Sequence, residues 1–257
     1  MEKISVVVLT RNNENLITRC INSILMQTYP NYEIIVVDSS STDNTVNILK
    51  QYNNPKELIR IKCLKTNVPI GKARQIGCEM SNGEIIAYID SDVELPYENW
   101  LENMAEPLLK GYNSPTGTFF PKEHIAGVQT LAKCKPSDPI TLKYIHSRFE
   151  YKKSVIDIDN YEIVGTSHLL LRKNLIEKVG GFHPEYSDED VRLTKAMMQF
   201  GYKFIYLKEQ KCYHYYIDSN KTFIRKAFRA ITIRVHDTKL DIINYFSGSK
   251  TKKGNIK

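Results

Sequence analysis

Short runs of β-branched and aliphatic residues alternate with segments of helical periodicity along the first hundred residues. The runs are too short for helices and are typical of strands buried on both faces; they lie at 4–9, 33–37, 58–61 and 84–89. Between them, apolar residues recur at helical spacing over 16–25, 46–52 and 71–80. This alternation predicts βαβ units, and therefore an α/β fold with a mainly parallel central sheet flanked by helices.

The pattern is less regular after residue 100. The segment 101–165 carries half of the prolines and shows no clear period. Beyond it, strands are predicted at 168–171 and 204–207, and helices at 174–179 and 188–200.

Polar side chains follow three of the predicted strands. Arg11 and Asn12 come after the first strand, Asp38 after the second, and Asp90-Ser91-Asp92 after the strand at 84–89. Right-handed crossovers place the carboxyl ends of parallel strands on one edge, where open α/β sheets bind their ligands. We therefore expect these side chains to converge on one rim, although they are far apart in sequence.

The tripeptide Asp90-Ser91-Asp92 is the most informative of these groups. In an extended segment its two carboxylates point to the same side, and together they offer hard oxygen ligands for Mg²⁺ or Mn²⁺. The alternative is a solvated acidic turn whose aspartates cap a helix. The buried strand directly before the tripeptide favours the metal site.

A second acidic group, Asp188-Glu189-Asp190, lies at the start of the predicted helix 188–200. Acidic residues in a first helical turn complement the helix dipole, which is one interpretation of this group. The other is that one of the carboxylates is a general base, which requires hydrogen-bond reach of the proton it removes. The sequence leaves both interpretations open.

Taken in order and at their spacing, these segments resemble family 2 glycosyltransferases of the inverting kind, which have a GT-A fold. The resemblance runs from Ile4 to about His214, over most of the chain. It is carried by the segments 5–12, 23–29, 33–45, 71–77, 83–92, 180–182, 189–193 and 201–203.

The resemblance implies a role for each matching position on the donor side. The residues implied to bind the nucleotide-diphosphate sugar are Thr10, Arg11, Asn12, Asp38, Lys72, Arg74, Asp90 and Ser91. Asp90 and Asp92 match the motif that holds Mg²⁺ or Mn²⁺ on the donor diphosphate, where a metal neutralises the charge that builds on the leaving group. Ser39 departs from the family pattern, because many members have a second aspartate at that position.

On the acceptor side, Asp190 matches the catalytic base, with Glu189 beside it. His183 and Arg192 depart from the pattern, which leaves the details of acceptor binding open. His214 is interpreted either as a third metal ligand or as a histidine packed at the surface between tyrosines. Trp100 follows the metal motif and either stacks on a sugar or belongs to the core.

The resemblance implies a GT-A domain over 1–220, with a nucleotide-binding half at 1–100 and an acceptor half at 101–220. The expected reaction moves a sugar from a nucleotide-diphosphate sugar to a hydroxyl or phosphate of a glycan or lipid-linked acceptor, in polysaccharide or glycoconjugate synthesis. One alternative is a catalytically weak, nucleotide-sugar-binding membrane scaffold, against which the intact Asp90, Asp92 and Asp190 count. The other is a sugar nucleotidyltransferase, but the loop after the first strand, 10–13, lacks the glycines of that class.

The positive charge is concentrated in the tail. The chain carries a net charge of +7, yet residues 221–257 hold ten basic and two acidic side chains, so the remainder is near neutral. A distributed basic face is therefore excluded, and with it nucleic-acid binding. Apolar residues at helical spacing in 221–257 predict a basic amphipathic helix that binds an anionic membrane surface or packs on the domain.

The expected location is cytoplasmic, with the tail allowing peripheral attachment to the inner face of the cell membrane. Five scattered cysteines without a Cys-x-x-Cys pair suit a reducing compartment. No signal-peptide pattern stands at the N-terminus, and no apolar stretch approaches the roughly 18 residues of a membrane span.

Overall fold

The computed structural model describes residues 1–52, 58–133, 153–160, 162, 164–184 and 188–215. Its strands are β1 (Ile4–Thr10), β2 (Tyr32–Asp38), β3 (Ile59–Cys63), β4 (Ile85–Asp90), β5 (Val93–Glu94), β6 (Tyr112–Asn113), β7 (Phe119–Phe120), β8 (Ile125–Lys133), β9 (Val155–Ile156), β10 (His168–Arg172) and β11 (Lys203–His214). Its α-helices are α1 (Ile17–Leu25), α2 (Thr45–Lys50), α3 (Ile70–Met80), α4 (Trp100–Lys110), α5 (Lys173–Lys178) and α6 (Glu189–Gln199).

The main sheet has the strand order β3-β2-β1-β4-β10-β8-β11-β5, and β9 pairs with β11. Strands β3, β2, β1 and β4 run parallel, as predicted for the first half of the chain. Strand β10 runs antiparallel to both β4 and β8, whereas β8 and β11 are parallel. The α/β prediction is confirmed, and the sheet as a whole is mixed rather than parallel throughout.

Helices cover both faces of this sheet. Alternate residues of β1 enter different clusters: Val6 and Val8 pack with α1 and α4, whereas Val7 packs with α3 and α6. This alternation follows from the two-residue period of a strand. Burial of each aliphatic side chain contributes about 1.5–3 kcal/mol, so the two layers fix the strand ends that carry the polar residues.

The predicted strands and helices of the first hundred residues are observed within two or three residues of their expected bounds. The sequence did not predict the regular elements between residues 100 and 165, of which helix α4 and strand β8 are the longest and the two-residue strands β6, β7 and β9 the shortest. Helix α4 contains Pro107, and β8 buries the polar residues Gln129 and Thr130, so neither shows a clean hydrophobic period. Strand β11 is also longer than predicted, because it continues to His214.

Among the described residues, no helix combines the length and the apolar character that crossing a membrane requires. The predicted amphipathic helix within 221–257 lies outside the described residues.

Candidate active site

One edge of the sheet collects the polar strand ends. Strands β1, β2, β4, β8 and β11 all end at this edge, and the antiparallel β10 begins there with His168. The backbone pairing at this edge is close, since Asp90 N donates to Ser167 O over 3.0 Å. The sequence prediction of a shared rim is therefore observed for Asp38, Asp90 and Asp92.

Asp90, Asp92 and His214 form a compact Asp-Asp-His group at this edge. One ligand atom of each residue lies within 4.8 Å of the others. His214 is 4% exposed, and its Nε2 lies 3.1 Å from Asp92 Oδ1. The two aspartates keep partial exposure, with side chains 27% and 23% accessible. The group is thus anchored on its imidazole side and open on its carboxylate side.

The donor set fits a divalent cation. Two carboxylates and one neutral imidazole are ligands that Mn²⁺ accepts, and octahedral ligands at about 2.1 Å from an ion lie about 3–4 Å from each other. The observed upper limit of 4.8 Å lies above that range by less than 1 Å. The backbone supports it, because Tyr215 N donates to Asp92 O over 2.8 Å and joins the turn after β4 to the end of β11.

Electrostatics at the group also favour a cation. Burial raises the pKa of Asp90, and the nearby charges of Asp92 and Asp190 raise that pKa further, whereas Arg74 and His214 oppose the shift. Negative charge therefore accumulates at the mouth of the site. Asp190 is linked to the group through the backbone, because its partner Thr166 directly precedes Ser167, whose O accepts a hydrogen bond from Asp90 N.

Asp190 is held in a fixed orientation at the start of α6. Its Oδ2 accepts hydrogen bonds from Thr166 N at 3.1 Å and from Thr166 Oγ1 at 3.3 Å. A Cβ atom at Gly165 would lie 3.5 Å from the same oxygen. Asp190 remains partly exposed, so its carboxylate is both oriented and accessible.

Glu189 and Arg74 are placed differently from Asp190. The Glu189 side chain is 1% exposed and the Arg74 side chain is 5% exposed. Arg74 Nη1 donates to Glu189 Oε1, and Arg74 Nη2 lies 3.7 Å from Asp90 Oδ1. Neither side chain faces solvent in the way that the sequence interpretation implied for a nucleotide contact or a second acid.

The two loops expected to hold the nucleotide are tied to each other. Asn12 has a left-handed φ of 49°, its Oδ1 accepts from Thr42 N at 2.8 Å, and its N donates to Ser41 Oγ at 2.9 Å. Asp38 is 1% exposed, and its carboxylate accepts from the N and the Oγ of Ser41. The polar atoms of Asn12 and Asp38 therefore shape the loops.

The other donor-side residues divide by exposure. Arg11 and Lys72 are exposed cations, whereas Thr10 is buried and its Oγ1 has no hydrogen-bond partner among the described residues. Ser91 is buried, and its Oγ accepts from Asn13 Nδ2 over 2.8 Å. Ser91 is thus engaged with the loop after β1, in a contact that the sequence did not reveal.

The structure adds His168 to the surroundings of the site and removes Trp100 from them. The rings of His168 and His214 lie edge to face with centroids 6.4 Å apart, and His168 Nε2 lies 3.1 Å from Thr130 O. Trp100 is fully buried, and its Nε1 donates to Lys211 O over 2.9 Å. Trp100 is therefore a core residue that supports β11, and the sugar-stacking alternative is wrong.

Residues 5–180 match the family model described as glycosyl transferase family 2. The chain therefore belongs to this family, and the resemblance found in the sequence is confirmed.

Two curated relatives illustrate the similarity. Glycosyltransferase AglE of Haloferax volcanii is 28% identical over 207 residues, covering 79% of this chain and 64% of AglE. The poly(ribitol-phosphate) beta-N-acetylglucosaminyltransferase TarS of Staphylococcus aureus is 39% identical over 95 residues, covering 36% of this chain and 16% of TarS. The chain thus spans less than two thirds of the length of these relatives.

Solved structures with the same fold support the GT-A prediction. The mannosyltransferase PcManGT of Pyrobaculum calidifontis, solved with GDP-Man and Mn²⁺, superposes with a TM-score of 0.66 at 22% identity, covering 84% of this chain and 58% of PcManGT. Residues 1–349 of S. aureus TarS, solved with UDP-GlcNAc, give a TM-score of 0.65 at 23% identity, covering 86% of this chain and 60% of the TarS chain.

Proposed function

We propose that this protein is a metal-dependent, inverting glycosyltransferase that moves a sugar from a nucleotide-diphosphate sugar to a hydroxyl or phosphate of a glycan or lipid-linked acceptor. The observation that carries the proposal is the Asp-Asp-His group at the sheet edge together with the oriented carboxylate of Asp190, whose partner Thr166 directly precedes the Ser167 that pairs with Asp90. A metal ligand set and a candidate base are the two parts that this reaction requires.

In this proposal Asp90, Asp92 and His214 hold Mg²⁺ or Mn²⁺, which supplies charge neutralisation at the diphosphate leaving group. The Asp190 carboxylate accepts the proton of the acceptor hydroxyl. The oxygen of that hydroxyl attacks the anomeric carbon of the donor sugar at the same time. The bond from that carbon to the diphosphate oxygen breaks on the opposite face, so the configuration inverts. Thr166 holds Asp190 Oδ2 through two hydrogen bonds and so limits the rotation of the base.

The named relatives support a glycan acceptor. TarS carries poly(ribitol-phosphate) as acceptor in its name, and AglE is named as a glycosyltransferase. The structural neighbours hold GDP-Man in one case and UDP-GlcNAc in the other. These donors differ in both sugar and nucleotide, so both classes belong in the first screen of this protein.

The two alternatives are less favoured. A catalytically weak scaffold has no need for an oriented Asp190, which the structure retains. A sugar nucleotidyltransferase is not supported by the family match over 5–180.

A thermal-shift screen with Mn²⁺ and a panel of UDP-, GDP- and dTDP-sugars tests the proposal. A donor that binds the native state at 100 times its Kd raises stability by about 2.7 kcal/mol. We expect one nucleotide class to raise Tm with Mn²⁺ present, and the same donor to release its nucleoside diphosphate slowly in the presence of water or acceptor. Mn²⁺ alone is the control. No shift and no release with any donor would contradict the proposal.

The location remains part of the proposal. We place the protein in the cytoplasm, with the tail 221–257 attached to an anionic membrane surface, where a lipid-linked acceptor would be available. The support is the concentration of basic residues at helical spacing in this segment.

A further inference from the structure

The buried ion pair between Arg74 and Glu189 joins two helices that carry different parts of the site. Arg74 lies in the second turn of α3, and Glu189 is the first residue of α6. The two residues are 115 positions apart in sequence, and both side chains are almost completely excluded from solvent. Isolated charges do not persist in such surroundings, so each of these side chains depends on the other.

The contact between the helices is too close for ordinary packing at one position. A Cβ atom at Gly71 would lie 2.5 Å from His183 O and 2.9 Å from Glu189 Cγ. Glycine at position 71 therefore lets the first turn of α3 approach the first turn of α6. This approach brings the guanidinium of Arg74 onto Glu189.

The pair is not optimised as a stabilising interaction. Arg74 Nε and Glu189 Oε2 are both buried without a hydrogen-bond partner among the described residues. Buried ion pairs with incomplete hydrogen bonding contribute little to stability relative to apolar residues of the same size, although breaking one by removing a single partner is costly. A pair of this kind therefore indicates a requirement for geometry.

The same guanidinium also reaches the Asp-Asp-His group. Arg74 Nη2 lies 3.7 Å from Asp90 Oδ1, while Nη1 contacts Glu189. The residue after Glu189 is Asp190, whose carboxylate is fixed on its other side by Thr166. The planar guanidinium of Arg74 thus lies between Asp90, a predicted metal ligand, and Glu189, the neighbour of the predicted base, and directs one of its two terminal nitrogens to each. A lysine ammonium on a single stem cannot span the two carboxylates in this way.

We propose that Arg74 and Glu189 are positioning residues that set the distance between the metal group and the base, and that Glu189 is not itself an acid or base of the reaction. Arg74 holds Asp90 with one arm and the start of α6 with the other. Glu189 supplies the buried counter-charge that keeps the guanidinium in place. This inference rests on the proposed function, because it assigns the residues a role in that reaction.

The first experiment compares R74K with the wild type. R74K keeps a positive charge beside Asp90 but has one terminal nitrogen, which cannot contact Asp90 and Glu189 together. A change in Mn²⁺ affinity is therefore due to the position of Asp90 and not to the loss of a charge. We expect the affinity for Mn²⁺ alone, measured by calorimetric titration, to fall by roughly 10-fold or more. We also expect kcat to fall while KM for the donor changes less. Wild-type Mn²⁺ affinity and kcat in R74K would overturn the proposal.

The second experiment asks whether Glu189 takes part in proton transfer. E189Q keeps an oxygen acceptor for Arg74 Nη1 but removes its counter-charge, so we expect kcat and the affinity for Mn²⁺ to fall together, as in R74K, while the pH profile of kcat keeps the shape that the wild type has. If E189Q binds Mn²⁺ like the wild type but is as inactive as D190N, Glu189 is a catalytic residue and the proposal is wrong.

The double variant R74M/E189M separates positioning from stability. It removes both charges, so we expect its Tm, measured with a chelator present, to exceed that of R74M and E189M. We expect kcat of the double variant to stay as low as that of R74M, because no arm reaches Asp90. Recovery of kcat together with Tm would show a purely structural pair.

The outcomes also separate this inference from the proposed function. If the wild type neither releases the nucleoside diphosphate nor transfers the sugar, the proposed function fails. The Mn²⁺ titration of R74K and the Tm values of R74M, E189M and R74M/E189M still decide whether the pair positions Asp90.

Discussion

His214 Nε2 and Asp92 Oδ1 lie 3.1 Å apart although 122 residues separate them in sequence. His214 ends β11, and its main chain pairs with Val93 of the short strand β5, directly after Asp92. The burial of His214 contradicts the interpretation of a histidine packed at the surface. The remaining interpretation, a third metal ligand, leads to the first prediction.

We expect His214→Gln to lower the affinity for Mn²⁺ by roughly 10–100-fold, because the imidazole both offers a ligand atom and orients Asp92. Calorimetric titration with MnCl₂ in the presence of the nucleoside diphosphate identified by the donor screen measures this. His124→Gln is the matched control, since His124 is exposed on a connecting turn. Equal Mn²⁺ affinity in His214→Gln and the wild type would exclude His214 from the metal site.

Asp190→Asn tests the base directly. The asparagine side chain keeps an oxygen for the hydrogen bonds from Thr166 but cannot accept a proton, so we expect kcat to fall by about 100–10,000-fold. Donor binding and Tm should change little, because the side chain keeps its size and its partner. Initial rates of sugar transfer measure kcat, and the thermal shift with and without the donor measures donor binding and Tm.

Asp188→Asn is the control for this substitution, because Asp188 lies two residues away with a side chain that is 43% exposed and paired with Arg192. An exposed pair of this kind contributes about 0–1 kcal/mol, so activity and Tm should both remain near the wild type. An Asp190→Asn enzyme with wild-type kcat would rule out Asp190 as the base.

The sheet edge could be predicted because it depends on local pattern. Each of β1, β2 and β4 contains a run of at least four apolar residues and ends in a polar residue, and right-handed crossovers then place those ends together. Asp38 and Asp90 follow from this argument without knowledge of any contact.

Elements that depend on tertiary pairing could not be predicted in the same way. Strand β8 carries buried polar side chains, including Gln129, whose Nε2 donates to Gly165 O over 2.9 Å. Such positions look solvent-exposed in sequence. Strand β11 includes an irregularity between Leu207 and Lys211, which interrupts the period of two and hides the continuation to His214. The sequence pattern alone therefore does not distinguish a metal ligand from a packed histidine at position 214.

The sequence also could not distinguish the adjacent carboxylates of Glu189 and Asp190. Consecutive residues on a helix point about 100° apart, so one side chain turns toward Arg74 and the other toward Thr166. Which one faces the interior depends on the approach of α3, and therefore on Gly71. Both residues match the family motif, yet only the structure assigns them different surroundings.

Glu33 offers a prediction about stability and pH. Its carboxylate lies in the sheet with 6% side-chain exposure and accepts hydrogen bonds from Ser5 Oγ, Asn82 N, Lys3 Nζ and Arg60 Nη2. Burial alone raises the pKa of Glu33, but the hydrogen bonds and the nearby cations outweigh burial and lower the pKa from its ordinary value of 4.5. A lowered pKa in the folded state means that the ionised carboxylate stabilises the fold above the unfolded-state pKa.

We therefore expect Glu33→Gln to lower the free energy of unfolding by about 1–3 kcal/mol at pH 7. The difference from the wild type should shrink as the pH falls below 4.5 and through the folded-state pKa, because protonated Glu33 resembles glutamine. Urea denaturation at several pH values measures this. Glu106→Gln is the control, since Glu106 is 58% exposed and forms an exposed ion pair with Lys110 across one helical turn. A pH-independent difference would contradict the prediction.

The tail is predicted to bind anionic membranes through the basic side of its amphipathic segment. Each Lys or Arg near such a surface contributes about 1 kcal/mol, so we expect R225E/R229E to reduce sedimentation with phosphatidylglycerol vesicles by roughly 10-fold or more. Phosphatidylcholine vesicles should bind neither the wild type nor R225E/R229E, and raised salt should weaken binding of the wild type to phosphatidylglycerol vesicles.

The control K250E/K252E changes the net charge equally but lies beyond the predicted helix, so it should bind more strongly than R225E/R229E. If the two double variants bind equally, net charge alone explains the attraction, and if the wild type does not bind, the membrane prediction is wrong.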